Sequence, residues 1–299
     1  MANQKTSPSI FARVALIGKF QAEGIDQVIE QLTTLVTQQG SQVFIEEETA
    51  RFTQLTKQPS IKLSELEGQI DAVIVIGGDG TLLGVGRHLA GANIPVIGIN
   101  MGRLGYMTDI PLQEVAQILP QMLQGSYELD SRSLLEAEVI RQGAITHFGL
   151  ALNDVVVNRS RLTGMVELAV NVNGSFMYNQ RSDGLIVATP TGSTAYSLSS
   201  GGPILHPRVE GIVLTPISPH ALSNRPIVLP GNVEITIEVA GGKDVSAHFD
   251  MQSLSTLQIG DQIRVRKSDK LVTLLHPKGH SDYRTLREKL HWNEYPSSL

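Results

Sequence analysis

The chain has 299 residues, enough for one large or two compact domains with a substantial core, and its 41% hydrophobic and 18% charged residues are those of an ordinary folded globular protein. A formal net charge of -5 argues against nonspecific binding to nucleic acid or an anionic membrane, since either needs a basic surface excess. The absence of cysteine excludes disulfides, thiolate zinc sites and cysteine nucleophiles together, and fits a reducing compartment.

Residues 1 to 10 read as a flexible lead-in. No basic segment there runs into a long apolar core, and no later stretch approaches the roughly 18 apolar residues of a membrane span. The expectation is a soluble, cytoplasmic protein. "RVALIG" (13–18) reads as a buried strand, followed by Ile25, Val28, Ile29, Leu32, Leu35 and Val36 at helical spacing until Gly40 stops the pattern. "QVFIE" (42–46) is a second short strand, and the polar stretch 47–70 resists assignment. "DAVIVIGG" and "IPVIGIN" (94–100) then frame one helix-length segment, "TLLGVGRHLAGA". This alternation predicts an open parallel α/β sheet of the Rossmann-like kind over residues 1–124.

Near residue 125 the pattern changes to alternating apolar and polar residues joined by turn signals such as "RQG" and "VNG", the mark of antiparallel strands. We read residues 125–275 as a second, mostly β domain. The segment 276–299 contains "SDYRTLREKLHW", amphipathic with Tyr283, Leu286 and Leu290 on one face, and is expected to pack back on the first domain.

The loop "GGDGT" ends the strand 71–76. Ligands of open α/β sheets bind beyond the carboxyl ends of the strands, and Gly77, Gly78, Gly80 and Thr81 let backbone N–H groups and a helix N-terminus, starting near Thr81, approach a phosphate. Asp79 is out of place in an anion site. Its carboxylate points either to a bound Mg²⁺ or to a hydroxyl whose proton it accepts during attack on a phosphoryl group; the plain alternative is a strand-to-helix turn. A P-loop would need a Lys that "GDGTLLG" lacks, and the glycine spacing fails GxGxxG. The histidines offer no metal site in sequence, because "HPKGH" puts Pro277 and Gly279 between His276 and His280 and so excludes a helical pair; no protein-held metal is expected.

"GGDGT" resembles the signature shared by NAD kinases, 6-phosphofructokinases and diacylglycerol and sphingosine lipid kinases. The segment "NQRSDGLIVATPTGSTAYSLSSGGPIL" (179–205) decides among them, because its core "TPTGSTAYSLSSGGP" is similar to the NAD kinase pattern. Physically, Gly192 and Ser193 could open a short helix that receives an anion or a base, with Thr194 and Tyr196 offering hydroxyls and an aromatic face. "LNDVVVN" (152–158) resembles the family's Asn-acidic pair, here Asn153 and Asp154 where Glu is usual. In "QRSDGL", Arg181 and Asp183 lie two apart on a strand and are expected to pair. "HFDMQ" (248–252) resembles the last substrate-contacting strand, with Gln252 as candidate, and "MGRLGYMTD" (101–109) the segment linking the domains.

The resemblance implies an α/β domain plus a β-sandwich domain, with NAD bound in the cleft between them. It implies transfer of the γ-phosphoryl group of ATP, of another nucleoside triphosphate or, in some relatives, of polyphosphate, to the 2′-hydroxyl of the adenosine ribose of NAD. Asp79 is the implied base, and Mg²⁺ arrives with ATP. Asp79, Gly80, Asn153, Asp154, Arg181, Asp183, Gln252 and the run Thr194, Ala195, Tyr196, Ser197, Leu198 and Ser199 are the implied NAD contacts. A homodimer or homotetramer is expected. Two other readings stay open at this point: a sugar or lipid kinase, and a non-catalytic NAD(P) sensor.

Overall fold

The computed structural model describes residues 8–102, 104–159 and 164–292; most of the expected lead-in, residues 1–7, lies outside them. The chain divides into two compact units, residues 1–131 with 272–299, and residues 132–271.

The first unit is built on a parallel sheet. Its strands are β1 (Arg13–Gly18), β2 (Gln42–Glu46), β3 (Ser60–Ile61), β4 (Ala72–Gly77), β5 (Val96–Asn100) and β6 (Ile110–Pro111), and its helices α1 (Ile25–Gln38), α2 (Glu47–Thr53), α3 (Asp79–Leu89) and α4 (Val115–Leu123). The order β5-β4-β1-β2-β3 is parallel throughout, with β6 beside β5. Every residue of β4 is buried, as a central strand covered on both faces must be. The helical positions read from the sequence, Ile25, Val28, Ile29, Leu32 and Val36, form the buried stripe of α1. The unassigned stretch 47–70 contributes α2, whose first turn is capped by the Glu46 carboxylate accepting from the Glu48 and Thr49 N–H groups. Helix α4, to which the sequence reading gave no separate place, buries Val115, Leu119, Met122 and Leu123.

The second unit is a β-sandwich. It comprises β7 (Tyr127–Arg141, entering from the first unit), β8 (Ala144–Ala151), β9 (Asp154–Arg159), β10 (Val166–Val172), β11 (Ser175–Ser182), β12 (Gly184–Ala188), β13 (Gly211–Ile217), β14 (Ile227–Pro230), β15 (Glu234–Gly241), β16 (Val245–Phe249), β17 (Ser253–Thr256) and β18 (Gln262–Pro277, returning to the first unit), with one helical turn, α5 (Tyr196–Ser199). One sheet carries β11-β10-β15-β18 with β7 and β8; the other runs β14-β13-β12-β9-β16-β17, all antiparallel. Alternate residues of both sheets, among them Val155, Val157, Leu185, Val187, Leu168, Val170, Ile235 and Ile237, interdigitate in a single core around Phe249.

Beyond β18 the chain closes the first unit. Leu274 and Leu275 pair with Val96 and Ile97 of β5, and α6 (Asp282–Leu290) follows, its first turn capped by Ser281. The expected apolar face of this helix is only partly right. Tyr283 is 58% exposed while Thr285 is buried, so the helix packs on the face carrying Thr285 and Lys289 with partial help from Leu286 and Leu290.

Candidate active site

Residue Asp79 is the first residue of α3, two positions earlier than the helix start expected near Thr81. Its carboxylate is held from several directions. Oδ2 accepts from the Tyr106 N–H at 2.8 Å, and Oδ1 from the N–H groups of Met107 at 3.0 Å and Thr108 at 3.2 Å and from the Thr108 hydroxyl at 3.2 Å. The Lys289 ammonium of α6 completes the set at 2.6 Å from Oδ2 and lies 4.3 Å over the Tyr106 ring. Burial alone would raise the Asp79 pKa; the charge and hydrogen bond of Lys289, with the Tyr106 and Met107 N–H groups, outweigh it and hold the carboxyl below its usual range. The Asp79 charge in turn adds to burial in pushing the Tyr106 phenol up to about 12.

Such a carboxylate suits a hydroxyl better than a cation. Its acceptor sites already face N–H and O–H protons and an ammonium, so a divalent ion would meet positive charge on every side.

The segment 105–108 reaches Asp79 because Gly105 has no side chain. A Cβ there would lie 2.2 Å from both Asp79 Oδ1 and Thr108 Oγ1. Buried Asn100, at the end of β5, steadies the same segment by accepting from the Gly102 N–H at 2.6 Å and donating to Thr108 Oγ1 at 3.3 Å. Gly78 and Gly80 differ from Gly105. Neither has a positive φ, and a Cβ at either would meet nothing within 4 Å. The fold itself therefore does not need glycine at these two places, and what the missing side chains leave is open space beside the α3 N-terminus, where no side chain caps the helix.

In the second unit the candidate residues fall into two groups. Asp154 opens β9, Ala188 ends β12 and Phe249 ends β16, and the registers Ala188 to Asp154 and Phe249 to Val155 set these ends side by side. This gathers Asn153, Asp154, the segment 189–199 and Gln252. Asp250 organises them: its carboxylate accepts from the N–H groups of Leu152, Asn153 and Asp154 at 2.9, 2.7 and 3.1 Å. It sits with Met251 in left-handed backbone, so residues 250–252 form a turn where a strand was expected. Asp154 is buried, and that burial, with the Asp250 carboxylate as second cause, raises its pKa to about 7.

The segment after β12 is not one short helix from Gly192. It forms a single 3₁₀ turn at Gly192–Thr194 and then α5, with a break at Ala195. Gly192 packs so close to Asn153 that a Cβ would lie 2.0 Å from its carbonyl oxygen. Thr189 ties the two by donating to the Leu152 carbonyl at 2.6 Å. Thr194, Ala195, Tyr196 and Leu198 keep partial exposure and Ser199 is exposed. Ser197 does not: it is fully buried and its hydroxyl bonds Thr215 Oγ1 at 2.8 Å, which makes it support for the segment from behind.

Arg181 and Asp183 form the second group, near the Gly184 to Asn158 register at the far end of β9, about 14 Å from Asp154 at ordinary strand rise. They do not pair with each other. Asp183 accepts from Arg159 Nε at 2.9 Å and Arg181 reaches Glu167 at 3.0 Å. The chain leaves one sheet for the other between β11 and β12, and this turns Asp183 away from the strand direction that would have aligned the two side chains.

Two of the histidines, which the sequence offered no common site, meet in space. His276 and His280 are not helical, yet the turn between them stacks their rings 4.0 Å apart and both Nδ1 atoms converge on Asp109, the only such cluster among the described residues.

Comparison with known proteins accords with both units. Residues 14–127 match the ATP-NAD kinase N-terminal domain and residues 152–276 the ATP-NAD kinase C-terminal domain. The chain belongs to the ATP-NAD kinase family. It is similar to the NAD kinase of Cupriavidus pinatubonensis (strain JMP 134), at 57% identity over 298 residues covering 99% of this chain and 98% of that protein. The NAD kinase of Ralstonia nicotianae is 55% identical over 297 residues, again 99% and 98% of the two chains. Among solved structures, yeast NADH kinase complexed with NADH shares the fold, with a TM-score of 0.87 at 23% identity over 99% of this chain and 91% of that one. An NAD kinase from Archaeoglobus fulgidus in complex with ATP gives 0.74 at 25% identity over 93% and 98%. As an ATP-NAD kinase the protein is an enzyme, a phosphotransferase that phosphorylates NAD with ATP. Among the described residues no helix is long and apolar enough to cross a membrane.

Lys289, Tyr106, Gly105 and Asp250 carry no signal that sequence reasoning could have used. Each is an ordinary residue made special by a partner far away in the chain; the "MGRLGYMTD" resemblance covered Gly105 and Tyr106 without giving them a role, and the "HFDMQ" resemblance singled out Gln252 instead of Asp250.

Proposed function

We propose that this kinase transfers the γ-phosphoryl group of Mg²⁺-bound ATP to the 2′-hydroxyl of the adenosine ribose of NAD, with Asp79 as the group that orients the hydroxyl and takes its proton. The observation that carries this reading is the Asp79 carboxylate itself. It is held ionised, fixed by four hydrogen bonds from residues 106–108, and is paired with the Lys289 ammonium. In the reaction the ribose 2′-oxygen forms its bond to the γ-phosphorus as the bond from that phosphorus to the β,γ-bridging oxygen breaks. The proton goes to Asp79 and then to solvent, leaving NADP and ADP. An ordinary carboxylate is a weak base toward an alcohol, so positioning and the Mg²⁺ charge supply most of the rate. Gly77, Gly78, Gly80 and Thr81 receive the transferring phosphates on the space beside the α3 N-terminus.

Asn153 and Asp154 hold the ribose and adenine, Thr194, Ala195, Tyr196, Leu198 and Ser199 face the adenine end, and Gln252 adds a contact from the neighbouring turn. Asp183, buttressed by Arg159, serves the nicotinamide end with Arg181 at its margin. Lys289 is a positioning residue, acting through Asp79. The enzyme works in the cytoplasm and assembles as a homodimer or homotetramer; exposed Phe176 on the edge strand β11 and Ile145 and Phe148 on β8 supply apolar surface for that.

The test is an incubation with NAD, ATP and Mg²⁺, read by an NADP-specific dehydrogenase, with fructose 6-phosphate as control acceptor. NADP should form, and Asp79→Asn should lower turnover by at least ~100-fold while keeping much of the NAD affinity. Unaltered turnover in Asp79→Asn would remove the assigned role. Lys289→Met should move the acid limb of the kcat profile to higher pH, because the carboxylate loses its nearby cation while its burial stays; an unmoved limb would show that Lys289 does not act through Asp79.

A further inference from the structure

We propose that Lys19 and Phe20 form the seat of the phosphate donor: the ammonium takes the donor's phosphates beside the "GGDGT" loop, and the phenyl ring stacks on its nucleobase. The inference rests on the reading of that loop as the phosphoryl-transfer site. Strand β1 lies next to β4 with Gly18 in register with Ile76, so the residues leaving β1 emerge beside those leaving β4. The Lys19 N–H donates to the Ile76 carbonyl at 2.7 Å. A Cβ on Gly77 would lie 3.1 Å from the Lys19 Cβ and 2.6 Å from Thr81 Oγ1, which roots Lys19 against the loop. Its side chain is exposed and, among the described residues, pairs with no carboxylate. A cation without a counter-ion at the carboxyl end of a parallel sheet suits an anionic ligand.

Phe20 supplies the second observation. Single exposed apolar side chains are ordinary, but this ring is 60% exposed and also held in place. The turn 19–22 closes through the Ala22 N–H on the Lys19 carbonyl at 3.3 Å, with Gln21 in left-handed backbone. Phe52 of α2, itself packed on the core, meets the Phe20 ring with centroids 5.3 Å apart and planes at 86°. An aromatic ring fixed from one side and open to water on the other is a platform for the flat π face of a nucleobase.

The spacing fits one molecule. Helix α2 follows β2, which flanks β1 on the side away from β4, so the Phe52 contact draws the Phe20 ring away from the loop. Ring and Gly78–Gly80 backbone are then one to two strand spacings apart, roughly 5–10 Å, a gap that the ribose and phosphates of a nucleoside triphosphate bridge with Lys19 along the way. The ring gives such a donor a contact that polyphosphate, having no base, lacks, and so sets the donor class.

Steady-state kinetics of the full chain, varying ATP at saturating NAD and then the reverse, test this. Phe20→Leu keeps an apolar side chain against Phe52 but no flat face; it should raise KM for ATP by at least ~5-fold, the lower end for a base stacked on an aromatic ring, with KM for NAD as in wild type. Phe20→Tyr should keep the wild-type KM for ATP, a result that packing alone does not require. Lys19→Met should raise KM for ATP by at least ~10-fold, the size of a hydrogen bond to a charged group, and KM for NAD not at all. Both side chains are exposed, so the Tm of each variant should stay at that of the wild type. Calorimetric titration of the NAD-saturated protein with a non-hydrolysable ATP analogue makes the same comparison without turnover. A wild type that forms no NADP would therefore refute the transfer reading while analogue binding still decides this one. An unmoved KM for ATP in Phe20→Leu, KM for ATP and NAD rising together in either variant, or equal binding of the analogue by wild type and Lys19→Met would each overturn the proposal.

Discussion

Replacing Asp154 by Asn isolates the electrostatics at the start of β9. The wild-type carboxyl is 3% exposed and is pushed from 3.8 to about 7, first by burial and then by the Asp250 carboxylate. The unfolded chain releases this proton near its model value of 3.8 whereas the folded protein keeps it to about pH 7, so between those values the folded state binds more protons and stability falls as pH rises. The contribution is fully present below the unfolded value and lost by the time pH passes the folded one. At 1.36 kcal/mol per pKa unit the whole window is worth roughly 4 kcal/mol, of which about 2 to 3 kcal/mol falls above pH 5. Asn at this position has no proton to lose and should show none of that slope. Urea unfolding of both proteins from pH 5 to pH 8 should therefore find Asp154→Asn gaining on wild type by about 2 to 3 kcal/mol. Parallel stability curves would refute the reasoning, since they would mean that Asp154 ionises in the folded protein as readily as in the unfolded chain.

Two other substitutions probe the units separately. Gly105→Ala places a Cβ 2.2 Å from Asp79 Oδ1; the segment 105–108 must withdraw, lowering kcat by at least ~10-fold and stability by about 1–3 kcal/mol, the range for overpacking, and a variant with wild-type kcat and Tm would show that the segment yields freely. Asp183→Ala removes the partner of Arg159 and should raise KM for NAD by about 10-fold with kcat nearly unchanged, as expected of a contact present equally in ground and transition states; steady-state kinetics with an unmoved KM would take Asp183 off the substrate.

By itself the sequence determined the local elements and the chemistry-bearing motifs. Hydrophobic period fixed α1, the all-buried β4 and the alternating strands of the sandwich, because a residue's burial along a regular element follows from its spacing alone. "GGDGT" stood out because glycines around a carboxylate are unusual at the end of a buried strand, and "TPTGSTAYSLSSGGP" because it resembles the NAD kinase pattern. What only the tertiary structure decided is which groups surround those motifs. The Arg181 and Asp183 pair failed because their real partners, Glu167 and Arg159, arrive on other strands. Ser197 proved internal because Thr215 on β13 meets it. Lys289 comes to Asp79 across 210 positions of chain, and His276 and His280 meet Asp109 across 167 and 171. Charge, burial and hydrogen bonding act through space over a few ångströms, whereas the sequence orders residues only along the chain.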